Sequence, residues 1–374
     1  MRVGLSAYLL HRGSDYRAAG VSVYIYQLLT HLVREGGNDY LAFVGDDAPP
    51  IDGLPYVVSP VTTRAASWRI PWEQLVVPIQ ARSRGIDVLH ATVNVAPVLF
   101  PGPIVVTVHD LAFLRYPELF ARQKALYLKA AVKISVRRAD QIIAVSENTR
   151  NDLIDLMDVR PDRVSVIHHG VDRSFRPLES RDFAATRARL DQKRPYVLYV
   201  GTLEPRKNVD VLISAFARAR ENLALPHQLV LAGAPGWRYE NLFQQVSELG
   251  LQDEVKFLGY VDPGLLALWY NAADLFVYPP AYEGFGLPLL EAMSCGVPCI
   301  TSASSALREI GGGACLQVEP GSEEGLQMAI TRMVTDPALR ARLRQEGVRR
   351  ASNFTWSRAA RETLTVYARA ASHS

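Results

Sequence analysis

Residues 275–302 read LFVYPPAYEGFGLPLLEAMSCGVPCITS. "LFVYPP" is a continuous apolar run closed by two prolines, which predicts a strand running into a turn. Beyond a loop containing Gly284 and Gly286, Pro288 stands where a helix favours its first residue, because proline there loses no hydrogen bond. "VPCITS" predicts the next strand. Strand, glycine loop, helix and strand follow one another, and the strands lack polar alternation, so they read as parallel strands buried on both faces. Glycine angles barred to other residues would let several peptide N–H groups point one way at the helix start, a nest for an anion or a hydroxyl-rich ligand. Two carboxylates flank that loop. Glu291 reads as a first-turn residue favoured by the helix dipole. Glu283 precedes the loop, where it would repel a phosphate but accept hydrogen bonds from sugar hydroxyls. An ordinary strand-to-helix connection fits the same residues.

The pattern extends to both ends of the chain. "RVGLSA", "YLAFVG", "DVLHAT", "IVVTVHD", "QIIAVS" and "RVSVIHH" read as strands in the first half, with helical stretches such as 20–35 and 119–138 between them. "YVLYVG", "HQLVLAG" and "VKFLGY" continue the scheme up to residue 275. The order predicts an α/β protein of two doubly wound, Rossmann-like domains in tandem, spanning 1–175 and 190–351. The polar, charged segment 171–195, with proline near both ends, is the expected linker.

At 374 residues the chain is too long for one typical core and suits two domains. A net charge of +3 is too small to argue for nucleic acid as a partner. Cys295, Cys299 and Cys315 have neither the number nor the spacing of a disulfide framework or a zinc site and read as reduced core residues, which suits the cytoplasm. The opening "MRVGLSAYLL" has a strand pattern rather than that of a leader, and no apolar run is long enough to span a bilayer. Any membrane contact is expected to be peripheral.

Ligands of parallel sheets collect beyond the carboxyl ends of the strands. His109 ends "IVVTVHD", and Arg206 and Lys207 lie in "GTLEPRKN" directly after "YVLYVG". Consider a sugar leaving a nucleoside diphosphate. Charge builds on the β-phosphate as the glycosidic bond breaks, so positive groups must be aimed at that oxygen. Arg206 offers a fork of hydrogen bonds and Lys207 a compact charge. A solvated charged loop before a helix fits the same pair equally well. His109 fits a sugar hydroxyl or developing charge, and a structural histidine also fits; Asp110 beside it reads as a helix cap. No Asp-x-Asp pair suited to a divalent metal occurs, so the expected mechanism is metal-free, with basic side chains and helix N-termini neutralising the phosphates. Gly20 stands at the entrance of a helix after the first strand, where backbone can approach a phosphate. The three-glycine dinucleotide fingerprint is missing, which argues against an NAD enzyme. No cofactor is expected, a nucleotide-sugar being a substrate.

Taken together, "AGVSVY", "TVHDLAFLRYPELF", "AVSENTRNDL", "VIHHGVD", "YVGTLEPRKNVDVLISAF" and "YEGFGLPLLEAMSCGVPCIT" resemble the retaining glycosyltransferases of glycosyltransferase family 4, over nearly the whole chain. The resemblance implies the GT-B fold, two Rossmann-like domains facing across a cleft. It implies that Glu283 binds hydroxyls of the donor sugar, that Glu291 binds the ribose, and that the amides of Gly284, Phe285, Gly286 and Leu287 hold what lies between. By the same resemblance Arg206 and Lys207 bind the diphosphate, His109 contacts the transferred sugar, Gly20 borders the phosphates, and Val261 lies beside the base. Many members carry an arginine directly after the glycine of the phosphate loop. Here Thr202 follows Gly201, and Arg206 is the candidate to supply that charge. The family's C-terminal helix crosses back onto the first domain, which assigns 352–371 to it. The likeness to bacterial mannosyltransferases of O-antigen and exopolysaccharide assembly makes GDP-mannose the first choice of donor and a saccharide or lipid-linked saccharide the acceptor.

Arg122, Lys129, Lys133 and Arg137 fall near one face of the helix expected over 122–138, which fits docking on anionic lipid and equally a solvated surface. Trp68 and Trp72, in "SWRIPWEQL", fit an acceptor loop or a core. Two other functions remain open on the residues alone. One is another GT-B enzyme, such as a nucleotide-sugar epimerase, which would turn over donor without acceptor. The other is a non-catalytic sugar-nucleotide-binding scaffold, which would have no need of His109, Arg206, Lys207, Glu283 and Glu291 as a set.

Overall fold

In the computed structural model, residues 1–11, 20–63, 65–178, 183–237 and 239–372 are described. The chain forms two compact units. The first runs to Gly170 and includes Thr355–Ser374; the second is Val171–Phe354.

The sheet of the first unit contains β1 (Arg2–Ala7), β2 (Asp39–Val44), β3 (Tyr56–Val58), β4 (Val88–Ala91), β5 (Ile104–Val108), β6 (Gln141–Ala144) and β7 (Val164–Val166). All pairs are parallel, in the order β3-β2-β1-β4-β5-β6-β7. β4, β5 and β6 are buried along their whole length, as aliphatic runs with helices on both faces should be. The helix Trp356–Ser372 belongs to this unit, and Tyr367 on it is fully buried with its hydroxyl 2.7 Å from Nδ1 of His90 on β4.

The second unit contains β8 (Tyr196–Val200), β9 (Gln228–Ala232), β10 (Val255–Gly259), β11 (Leu275–Tyr278), β12 (Cys299–Ser302) and β13 (Leu316–Val318). Their order is β10-β9-β8-β11-β12-β13, again parallel throughout. This is the Rossmann order, in which the winding reverses between the first and fourth strands and opens a crevice there. The reversal falls between β1 and β4 in the first unit and between β8 and β11 in the second. Cys295, Cys299 and Cys315 are free and buried.

The sequence reading differs from this in three places. The edge strands β3 and β13 were not anticipated, because three-residue strands carry too little pattern to stand out from loops. The segment expected to be a linker contains the helix Phe183–Arg189, and Arg187 on it pairs with Asp274 at 2.5 Å inside the second unit. Residues 179–182 of that segment lie outside the described residues. Finally, the helix after the glycine loop is Leu287–Ser294, so Pro288 is its second residue and Glu291 its fifth. Glu291 is therefore beyond the first turn, and the helix dipole is not what governs it.

Candidate functional site

In the second unit the loop after β8 and the loop after β11 are stitched together. Ala281 N donates to Arg206 O at 2.9 Å, and Asn208 Nδ2 donates to Pro279 O at 3.0 Å. Arg206 and Lys207 sit in a 3-10 turn, Pro205–Lys207, and point different ways. Lys207 is buried: its Nζ forms an ion pair with Glu283 Oε1, donates to Tyr278 Oη at 3.0 Å, and lies 5.5 Å from the centre of the Tyr278 ring. The guanidinium of Arg206 grips Glu204, with Nε 3.2 Å and Nη2 3.1 Å from Oε1, while Nη1 is 3.4 Å from the Tyr282 carbonyl.

Burial opposes ionisation of Glu283, but Lys207, then Arg206, then the hydroxyl of Tyr278 outweigh it and hold the carboxyl below its ordinary value. Its backbone N–H donates to Ser305 Oγ at 2.9 Å. Ser305 is held at φ 47°, a left-handed angle costly for any residue but glycine, and such strain gathers at working sites. Gly286 takes φ 101°, and a Cβ there would come within 2.4 Å of Leu307 Cδ2, so only glycine fits. Pro288 has no N–H, and the Leu289 amide bonds the Gly286 carbonyl at 3.1 Å at this helix start.

Glu291 stands apart from that ion pair. Tyr270 donates to its Oε2 at 2.9 Å, and burial pushes the carboxyl up to about 8. The ordinary value is 4.5, so the folded chain keeps a proton that the unfolded chain releases. Stability contributed here is full below about pH 4.5 and falls as pH rises to about 8, at up to ~1.4 kcal/mol per unit. Thermal melts of Glu291→Gln and wild type across pH 5–9 are expected to separate progressively, with the variant relatively more stable toward pH 8. Parallel curves would mean that Glu291 ionises in the fold without penalty.

Gly201, just past the end of β8, donates its N–H to the Ala232 carbonyl on the neighbouring strand at 2.9 Å. Its carbonyl lies so close to Gly233 that a Cβ on that residue would sit 1.8 Å from it. The carbonyl of Thr202 accepts from the Tyr199 hydroxyl at 3.2 Å. Val261 follows β10, on the same carboxyl edge but two strands out from β8.

In the first unit His109 follows β5. Its Nε2 is 2.9 Å from the Thr92 carbonyl, which can only accept, so the neutral ring carries its proton on Nε2 and leaves Nδ1 as an acceptor. Burial lowers its pKa, against smaller opposing effects of the Thr92 carbonyl and Asp110, and favours that neutral form. Asp110 Oδ1 accepts from Ala112 N at 3.2 Å, at the start of the one-turn helix Ala112–Arg115. Tyr24 presents its ring edge-on to His109 at 4.7 Å. A buried chain of contacts braces the ring from beneath: Tyr24 Oη to Thr107 Oγ1 at 2.9 Å, Thr107 Oγ1 to His90 Nε2 at 2.8 Å, and His90 Nδ1 to Tyr367 Oη. Gly20 is the N-cap of the helix Val21–Glu35 at φ 53°, and among the described residues no atom lies within 4 Å of where its Cβ would stand.

Lys207 and Glu283 are thus brought together, Arg206 is beside them with its own partner, and Glu291 is held separately by Tyr270. Sequence reading missed Tyr278, Tyr270, Tyr24 and Gly233. Tyr278 carries a visible signal, a hydroxyl closing an otherwise apolar strand; the others act through contacts that no local pattern reports. Among the described residues no group of His, Cys, Asp or Glu gathers as metal ligands would, and no helix is long and apolar enough to cross a membrane.

Two family models match the chain, "Glycosyltransferase Family 4" over residues 18–175 and "Glycosyl transferases group 1" over 180–350. The chain is similar to an O-antigen chain mannosyltransferase B of Escherichia coli, 31% identical over 264 residues, which are 70% of this chain and 69% of the relative. It is also similar to a D-inositol 3-phosphate glycosyltransferase of Salinispora arenicola, 35% identical over 289 residues, 72% of this chain and 64% of that relative. Among solved structures, a sucrose-phosphate synthase from Thermosynechococcus elongatus matches over 100% of both chains with a TM-score of 0.83 at 24% identity, which establishes a shared GT-B fold. With both family models matched and the two Rossmann-like units in place, the chain belongs to the glycosyltransferases of family 4.

Proposed function

We propose that the chain is a retaining hexosyltransferase that moves mannose from GDP-mannose to a saccharide or lipid-linked saccharide acceptor, without a metal ion or other cofactor. The observation that carries this reading is the buried Lys207–Glu283–Tyr278 cluster at the winding reversal of the second unit, beside a glycine-rich helix start. The cluster supplies what a departing nucleoside diphosphate needs: a cation and backbone amides for phosphate, and a carboxylate for sugar hydroxyls. The likeness to a chain named as a mannosyltransferase supports the choice of sugar.

In the proposed reaction the bond from the anomeric carbon to the β-phosphate oxygen breaks while the acceptor oxygen bonds that carbon on the same face. The acceptor proton passes to the departing phosphate oxygen. Lys207 and Arg206 stabilise the charge on that phosphate, the latter after exchanging Glu204 for phosphate, and Glu283 orients the sugar. Glu291 takes ribose hydroxyls, Gly201 and Thr202 border the phosphates, and Val261 borders the base. His109 and the backbone at Gly20 are the contributions of the first unit, the former offering Nδ1 to a sugar hydroxyl.

A panel of GDP, UDP, ADP and their sugar conjugates, with and without chelator, tests this by thermal stabilisation. A ligand at a hundredfold its Kd adds ~2.7 kcal/mol. GDP-mannose is expected to give the largest shift, unchanged by chelator; no shift with any nucleotide at millimolar concentration would sink the donor site.

Peripheral docking on anionic lipid is part of the same proposal. Arg122, Lys129, Lys133 and Arg137 are all exposed on the helix Arg122–Arg138, with Leu126 61% exposed among them. Cosedimentation with phosphatidylglycerol vesicles should exceed that with phosphatidylcholine and weaken in Lys133→Glu; equal binding to both lipids would remove the docking role.

A further inference from the structure

The helical stretch Ala66–Ser83 is interrupted by a π turn over Trp72–Val76. Such turns rotate side chains out of the α register and recur at ligand sites. Here the rotation turns Trp72 and Glu73 inward, leaving them 2% and 1% exposed. Among the described residues, Arg69 Nε, Trp72 Nε1 and Glu73 Oε1 are buried with no hydrogen-bond partner. Folded proteins contain few such atoms, because each has given up water for nothing in return. Three within five residues of one another form a concentration of unmet polar groups.

Two tyrosines complete the cluster. Tyr8 directly follows β1, and the Arg69 guanidinium carbon lies 5.2 Å from the centre of its ring. Tyr127, on the helix Arg122–Arg138, has both Glu73 and Arg69 as electrostatic neighbours. Tyr8 marks the carboxyl edge of the sheet at the strand where the winding reverses, the place where ligands of this fold class gather. β1 and β5 are separated only by β4, so Tyr8 and His109 follow strands two spacings, ~10 Å, apart on one edge of the sheet.

We propose that Arg69, Trp72 and Glu73, with the rings of Tyr8 and Tyr127, form a saccharide subsite of the first unit that holds one sugar of the acceptor. This rests on the glycosyltransferase reading above. The chemistry matches a pyranose. A carboxyl group takes a pair of hydroxyls, the indole N–H and the guanidinium donate to others, and tyrosine faces cover the apolar C–H face of the ring. A lone carboxylate beside a guanidinium does not make a cation site, which needs several oxygen ligands. It does not make a phosphate site either, since one guanidinium is a single cation and binding a phosphate dianion beside the carboxyl would favour keeping that group neutral at a further desolvation cost. Burial pushes the Glu73 carboxyl up to about 8 against the pull of Arg69, so the empty subsite holds it able to donate as well as accept.

Saturation-transfer NMR with methyl α-mannopyranoside, methyl α-glucopyranoside and methyl α-galactopyranoside at millimolar concentration tests the subsite on the full chain. At least one glycoside is expected to bind wild type, to shift the Trp72 indole N–H resonance, and to lose at least ~10-fold in affinity in Glu73→Gln and Trp72→Phe. Glu73→Leu should melt higher than wild type while losing the glycoside, since it removes an unpartnered carboxyl. A carboxyl kept for structure would give a lower melting temperature instead. Failure of all three glycosides to bind wild type, or unaltered binding in Glu73→Gln and Trp72→Phe, would overturn the subsite. The nucleotide panel is read separately: a GDP-mannose shift without glycoside binding rejects only this subsite, whereas no nucleotide shift rejects the donor site.

Discussion

Lys207→Met is expected to abolish transfer and to destabilise the second unit together. Methionine keeps the length and apolar stem of lysine but leaves Glu283 buried without its cation. Breaking one side of a buried pair costs about 3–5 kcal/mol, because the surviving charge has neither water nor partner. The Glu283 carboxyl, now held below its ordinary value chiefly by Lys207 working against burial, would rise and take up a proton. On the role proposed for Lys207, transfer should fall by ~10²–10³ or more, the usual loss when one preorganised donor to a developing oxyanion is removed. The double variant Lys207→Met/Glu283→Gln separates the two effects. With no charge left to strand, it should regain most of the lost stability while remaining inactive. Denaturant unfolding and an assay of transfer from the proposed donor would read both quantities. A single variant that melts like wild type and turns over normally would show that the pair is idle.

Gly233→Ala is expected to be nearly as damaging, without touching a charged group. Its Cβ would lie 1.8 Å from the Gly201 carbonyl oxygen and 2.6 Å from its carbon, both backbone atoms that no rotamer change can move aside. The loop after β8 must therefore shift by ~1 Å or more, and a misplacement of that size costs on the order of 10²-fold in rate. Overpacking adds a stability loss of about 1–3 kcal/mol. Gly313→Ala is the control: no atom lies within 4 Å of its Cβ position, and that variant should behave as wild type. Nucleotide affinity by calorimetry together with transfer from the proposed donor would distinguish a displaced loop from a general loss of fold. Equal behaviour of the two variants would mean that the Gly201–Gly233 contact is dispensable.

The legible part of the site lies where chemistry coincides with local pattern. Glu283 and the glycines after it interrupt an otherwise apolar strand-loop-helix, and Lys207 follows a strand end, so both stand out in the linear chain. Their meeting was not legible. They are separated by 76 residues in sequence and touch because β8 and β11 are neighbours at the winding reversal. Glu291 illustrates the opposite error. Its position after a proline suggested a carboxylate eased by the helix dipole. The helix begins one residue earlier, and burial against Tyr270 makes it an acid that keeps its proton up to about pH 8. Likewise, nothing in "SWRIPWEQL" distinguishes exposed Trp68 from buried Trp72, because an α register extrapolated through the segment misses the π turn.

By itself the sequence determined the parallel α/β class and most strands, because continuous aliphatic runs bounded by glycine and proline have few other stable uses. It also displayed the motifs of the family. Tertiary structure alone decided which charges meet, which carboxyl is ionised and which stays protonated, and where buried polar atoms are left without partners. Those outcomes depend on strand order and on the water excluded around each group, and both are set by segments distant in the chain.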